Sequence, residues 1–143
     1  MLYRTIQRAH GGARSGGAGV TIQPFLKWAG GKRWLAEGPL SELKSAVKYN
    51  RYVEPFLGSG AVFFSFEPPR ALLADSNPDL IKTYAAVRDG WRRVSQLIRE
   101  HHKRHCKDYY YRMRSSRPKD RFERAANFIY LNRACWNGLY RVN

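Results

Sequence analysis

The sequence predicts an α/β fold that passes into a basic helical section. Three observations carry this reading. Two short β-rich runs, RYVEPF (51–56) and RALLAD (70–75), flank a glycine turn and a short amphipathic segment. Segments of helical period follow them. From Arg92 to Arg124, twelve Lys and Arg stand against four Asp and Glu, a local excess of +8 (12 − 4). Strand, helix, strand, then helices implies a sheet with helices laid on it, and the change of texture near residue 92 marks a second section.

Taken in order, residues 1–23 contain GGARSGGAG, which has nothing to bury, and predict a flexible basic extension. The segment has no long apolar stretch before a cleavage site and makes a poor secretory signal. Translation from an upstream start would give the same texture. Residues 24–91 form the first section. PFLKWAGGKRWLAEGPLSELKSAVK opens on a glycine-containing turn and is expected to continue as one helix. RYVEPF is the first strand, GSG a tight turn, AVFFSF the start of a helix, and RALLAD the second strand. SNPDLIKTYAAVRDG predicts a helix with Asn77 as its N-cap, Pro78 in its first turn and Gly90 at its end. Leu80, Ile81, Tyr84 and Val87 share its apolar face.

Residues 92–143 form the second section. WRRVSQLIREHHKRHC continues helically with Val94, Leu97 and Ile98 inward. RFERAANFIYLNRAC is helical again, with Phe122, Ala125, Ala126 and Ile129 as its inner stripe. His101 and His105 stand four residues apart, a spacing that can hold a metal on a helix. Apart from Cys106 nothing completes such a shell, and Lys103 and Arg104 repel a cation. The histidines therefore predict a solvated basic face able to bind phosphate.

A chain of 143 residues, 43% of them hydrophobic, can bury a core and suggests one domain. Twenty-six Lys and Arg against eleven Asp and Glu leave a net charge of +15. That imbalance points to a polyanion partner, nucleic acid ahead of a membrane surface. No stretch approaches the roughly 18 apolar residues of a spanning helix. Cys106 and Cys135 sit in no paired-ligand spacing and read as reduced cytosolic thiols.

In VEPFLGSG, Gly58 and Gly60 lie directly behind the first strand, where the missing Cβ allows a sharp turn and close approach of a ligand. Asp75 ends the next strand, 21 residues after Glu54 and 17 after Gly58. A carboxylate near that spacing can accept hydrogen bonds from both hydroxyls of a ribose. The third glycine of a dinucleotide fingerprint is missing, and no Gly-Lys-Ser/Thr follows, so a phosphate-cradling NTPase loop is disfavoured. A nucleoside-containing cofactor and a plain structural turn both remain open from these residues alone.

Four blocks occur in order: FLKWAGGK (25–32), VEPFLGSGAVFF (53–64), ADSNPDLI (74–81) and FIYLNRACWNGLYRVN (128–143). Together they resemble the consecutive signatures of the Dam-type (D12 class) DNA adenine-N6 methyltransferases. The resemblance covers residues 25–143 and implies a Rossmann-like, S-adenosylmethionine-dependent fold, incomplete here, and no metal. By it, Trp28 and Lys32 line the cofactor pocket, the indole suiting adenine or sulfonium and the ammonium the methionyl carboxylate. Glu54 lies near the methionine amino group, the Gly58–Gly60 turn passes under the cofactor, and Asp75 binds the ribose. Core packing is the competing reading for Trp28. Double-stranded DNA is the implied partner, with phosphate contacts from the basic section. Trp136, Asn137, Leu139 and Arg141 are the implied contacts to the target or its flanks, as wedges and guanine readers. Trp136 stands where a tyrosine is common, and a helix-end core position is its plainer reading.

The resemblance also implies an Asp-Pro-Pro-Tyr-like tetrad that accepts the amine hydrogens of adenine and stacks on the flipped base. Residues 1–143 contain none; EPPR (67–70) has Glu for Asp, Arg for the aromatic, and falls between the strands as a loop. The expectation is a front portion of a methyltransferase that needs a C-terminal complement, with its first strand left on an open edge. The competing function is a catalytically inactive remnant that holds DNA, S-adenosylmethionine or both. A nucleotide-binding protein of another class is the third. A cytoplasmic, prokaryotic or phage-encoded setting follows from the resemblance.

Overall fold

The computed structural model describes residues 4–7, 22–46 and 48–136. Its elements are β1 (Arg4–Gln7), α1 (Arg33–Glu37), α2 (Pro39–Ala46), β2 (Tyr52–Glu54), α3 (Ala61–Phe66), β3 (Arg70–Leu73), α4 (Pro78–Lys103), α5 (Lys107–Ser115) and α6 (Arg121–Ala134). Both predicted strands form and pair in parallel, with Val53 opposite Leu72. A parallel pair needs a crossover, and the GSG turn with α3 supplies it.

The sheet order is β1-β3-β2. β1 lies antiparallel to β3, with Thr5 opposite Leu72. The reading of all of residues 1–23 as a flexible extension is therefore too broad. Composition alone scores GGARSGGAG and RTIQ together, whereas the free edge of β3 offers backbone partners to any extended segment that reaches it. On its other side β2 has β3 for a neighbour and, among the described residues, no second strand.

Local signals place the helices well at their starts. The Asn77 side chain accepts from the amides of Asp79 (3.0 Å) and Leu80 (3.2 Å), and Pro78 needs no amide partner at the first position. The Asp120 side chain accepts from Phe122 and Glu123 in the same way. Two stops differ from expectation. The single helix expected from KRWLAEGPLSELK breaks at Gly38, because the residue before Pro39 is driven out of the helical region. Gly90 is a kink inside α4, not its end. A Cβ at Gly90 would lie 2.6 Å from Cε1 of Phe122, so the glycine admits α6 against α4 while the helix runs on.

One core joins the two predicted sections. Leu57, Leu73, Leu80, Ile81 and Tyr84 from the first pack with Val94, Ala125, Ala126, Phe128 and Ile129 from the second. α6 is buried from Ala125 to Asn132 without interruption. One side meets α4, and the other puts Tyr130 and Leu131 against Tyr109 of α5. The expected inner stripe was only half of that surface. Among the described residues, no helix is long and apolar enough to cross a membrane.

Candidate functional site

The site is built where β2 and β3 end. The ladder extends one step beyond the strands: Ala74 donates to Glu54 O at 2.8 Å and Leu57 to Ala74 O at 2.9 Å. The chain then turns, with Gly58 at φ +53° and Gly60 at φ +71°, the left-handed region that side chains rarely adopt. The Asp75 carboxylate braces this turn. One oxygen accepts from the Gly58 amide at 2.9 Å and the other from the Asn77 amide at 3.0 Å. Strand end, glycine turn and the start of α4 are thereby tied to a single side chain.

The KWAGGK segment folds over the same place. Gly31 donates to Trp28 O at 3.2 Å, and Lys32 begins α1. The indole of Trp28 presses on the turn so closely that a Cβ on Gly58 would meet its Cδ1 at 3.0 Å. The Lys32 ammonium lies 2.7 Å from Oε1 of Glu54 and also donates to Phe56 O. Tyr52 donates to Oε2 of Glu54 at 2.7 Å. Glu54 is buried, and this cation and phenol are what its charge meets. Burial, then the carboxylate it bonds, raises the Tyr52 phenol above its ordinary range. Tyr84 donates to Ser59 O at 2.7 Å, and its phenol is likewise raised, first by burial and then by the charges of Glu54 and Asp75.

These pieces enclose an open cleft of about 500 Å³. Trp28, Lys32, Gly58 and Asp75 line it. Glu54 and Gly60 stand behind that lining: Glu54 through its pair with Lys32, Gly60 as the left-handed residue that starts α3 against Phe64 and Tyr84. Lys32 and Glu54, read separately from the sequence, form one pair.

The sequence reading missed Asn132. It is 1% exposed, and its amide makes two bonds to the backbone of Lys27: Oδ1 accepts from Lys27 N at 2.9 Å and Nδ2 donates to Lys27 O at 2.8 Å. α6 is thus latched to the residue before Trp28. An amide inside an otherwise apolar helical stripe was the available signal.

Beyond α6, Trp136 is 86% exposed, so its plainer reading as a core residue at the helix end does not hold. Asn137, Leu139 and Arg141 lie outside the described residues. In the basic section, guanidinium groups lie against rings: Arg92 over Trp91 (4.6 Å), Arg112 over Tyr109 (5.1 Å), and Arg93 and Arg121 over Phe122 (5.0 and 4.5 Å). Arg121 also pairs with Asp89 at 2.8 Å; Arg88, then burial and Arg121, act on that carboxyl, with a net lowering. The expected solvated histidine face needs correction at His101. It is half-buried, stacks on Tyr130 at 4.9 Å, and lies 2.8 Å through Nδ1 from the Tyr109 hydroxyl. The cause is α5, which folds back on the end of α4 and α6. Burial first, then the Arg104 charge, lowers the His101 pKa. Among the described residues, no three His, Cys, Asp or Glu are grouped to hold a metal ion.

A small sheet with a glycine turn and a braced carboxylate at the ends of its parallel strands, sharing one core with helices rich in Lys and Arg, defines a mixed α/β domain with an open cleft at its strand ends. The chain belongs to the D12 class N6 adenine-specific DNA methyltransferase family, whose model matches residues 28–143. It is 39% identical over 130 residues to Type II methyltransferase M1.LlaDCHI of Lactococcus lactis subsp. cremoris, covering 87% of this chain and 45% of the relative. It is 41% identical over 128 residues to the DNA adenine methylase of Haemophilus influenzae, covering 85% and 43%. Against the DNA adenine methylase of Escherichia coli K12 the identity is 41% over 124 residues, covering 83% and 43%. The chain spans about half the length of the curated relatives it matches.

Proposed function

We propose that this chain supplies the cofactor-binding and DNA-recognition portions of a DNA adenine-N6 methyltransferase with a Rossmann-like core. The observation that carries the proposal is the convergence of Trp28, Lys32, Gly58 and Asp75, from three separate sequence blocks, on one cleft of about 500 Å³. S-adenosylmethionine, when bound, supplies an electrophilic methyl group on its sulfonium. The residues present suit it. Trp28 offers an indole face for adenine or sulfonium. Lys32 and Glu54, already an ion pair, answer the opposite charges of an amino-acid zwitterion. Each Asp75 oxygen accepts one amide and keeps a lone pair for a ribose hydroxyl.

The second section holds duplex DNA through Lys and Arg on α4, α5 and α6, and Trp136, Asn137, Leu139 and Arg141 carry contacts to the target or its flanks. Adenine N6 is a weak nucleophile because its lone pair is delocalised into the ring. Acceptors for its two hydrogens and an aromatic stacking face are therefore required. Residues 1–143 hold no Asp-Pro-Pro-aromatic run. Methyl transfer accordingly draws that group from sequence outside them, in the same polypeptide or in a complementing chain.

Calorimetry with S-adenosylmethionine tests the cleft. Lys32→Ala with Asp75→Ala should weaken binding by at least about tenfold, the loss of two charge-assisted contacts. Unchanged affinity would overturn the assignment. Transfer of labelled methyl to duplex adenine by these 143 residues alone would overturn the requirement for an outside tetrad. Binding of both ligands without transfer, even with a tetrad-bearing partner chain added, would favour the inactive remnant.

A further inference from the structure

We propose that His102 of α4 and His105 of the link between α4 and α5, with Arg133 of α6, form a seat for a backbone phosphodiester of duplex DNA, separate from the glycine-lined cleft. The proposal rests on the DNA-binding reading above and gives it a specific contact. A depression of about 250 Å³ opens on the seam between α4 and α6. Its polar lining is His102, His105 and Arg133, and its apolar lining is chiefly Ile98, Ile129 and Tyr130. All three polar side chains are exposed. Glu100, the nearest acidic residue along α4, is taken up by Lys103 at 3.0 Å.

The histidine is held in place. Nδ1 of His105 lies 2.8 Å from the Tyr130 hydroxyl, and Tyr130 is buried in the cluster with Tyr109 and Leu131. A phenol donating to Nδ1 fixes the tautomer with the proton on Nε2, which is then a donor for an anion. His101 stacks on the same Tyr130 ring at 4.9 Å and stiffens it from the other helix. A guanidinium and two imidazole donors beside an apolar wall suit a phosphate carried on a sugar. They do not suit a metal ion, because Arg133 repels it and no carboxylate lines the depression. Arg133 precedes Trp136 by three residues, so a phosphate held here would set the register of the segment proposed to contact the target.

Anisotropy with a fluorescent duplex, across a range of salt, tests the seat in the 143-residue chain. Arg133→Gln should weaken binding about tenfold and lower the slope of log K against log salt by about 0.9. His102→Gln with His105→Gln should weaken it about fivefold, through lost donors to a charged acceptor. Tyr130→Phe keeps the ring, removes the hydrogen bond to His105, and should reproduce part of that loss with S-adenosylmethionine affinity intact. Lys48→Gln, an exposed cation outside the helical section, is the control for bulk charge. Losses no greater than the control's, in variants with wild-type circular dichroism, would overturn the seat and leave the DNA-binding reading standing. Weakened binding of inorganic phosphate with duplex affinity untouched would reassign the site to a free anion and overturn the duplex contact. A wild-type chain that binds no duplex would overturn both readings.

Discussion

The cleft and the helical section are built by opposite means. In the cleft the backbone is the working part: Gly30, Gly58 and Gly60 all take positive φ, and amides of Gly58 and Asn77 grip one carboxylate. In the helical section the backbone is ordinary α-helix and side chains do the organising, through His101 on Tyr130, Tyr109 against Tyr130, and guanidinium groups on rings. The first kind of site fails when a Cβ is added, and the second when a side chain is shortened. Asn132 belongs to both, a helical side chain spent on the backbone of Lys27.

That residue should give the largest effect. Asn132→Ala removes both side-chain bonds to the backbone of Lys27 and empties a fully buried position, and should cost about 3 kcal/mol in urea unfolding. It should also weaken S-adenosylmethionine binding, although the side chain does not line the cleft. A loss confined to stability would show the latch to be structural only. Gly90→Ala follows, at about 1.5 kcal/mol, because the new Cβ meets Phe122. Phe122→Leu in the same chain should restore part of that stability; if it adds a full second loss, the close approach is not the cause.

Gly58→Ala should cost about 1 kcal/mol of backbone strain. Its larger readout is cofactor affinity, because relief of the 3.0 Å contact must displace Trp28. Unaltered binding would break the contrast between a backbone-built cleft and a side-chain-built section. The smallest effect is the pH dependence of His101. Its folded pKa lies below the ordinary value near 6.5, so the unfolded chain binds its proton first. The stability it contributes is fully present above about pH 6.5 and declines as pH falls through its folded pKa. Comparison of urea midpoints for wild type and His101→Gln over that interval isolates the term, and identical profiles would remove it.

Much of this was legible in residue order. Asn77 and Pro78 announced the start of α4, and Leu80, Ile81, Tyr84, Val94 and Ile129 were assigned inward and are buried or packed against the core. Those signals act over a single turn or one helix face. The strand, the GSG turn and Asp75 were legible for the same reason. Gly90 misled because helix punctuation and a helix-packing gap use the same residue, and only the Phe122 ring tells them apart. His101 misled because a run of cations looks solvated until α5 covers one member of it. β1 was invisible because RTIQ is only four residues long and is followed closely by a glycine-rich run.

The sequence by itself determined the caps, the apolar stripes, the glycine turn, the charge of +15 and the family blocks. All of these are set by neighbours within a few residues or by residue type. Only the tertiary structure decided that Asp75 braces Gly58, that Lys32 and Glu54 share one ion pair, and that Asn132 reaches Lys27 across 105 positions. Such contacts join residues whose spacing carries no periodic signal. The first two exist because the parallel strands and the segment before α1 meet at one end of the sheet, and the third because the shared core holds the two sections together; local propensity does not contain that information.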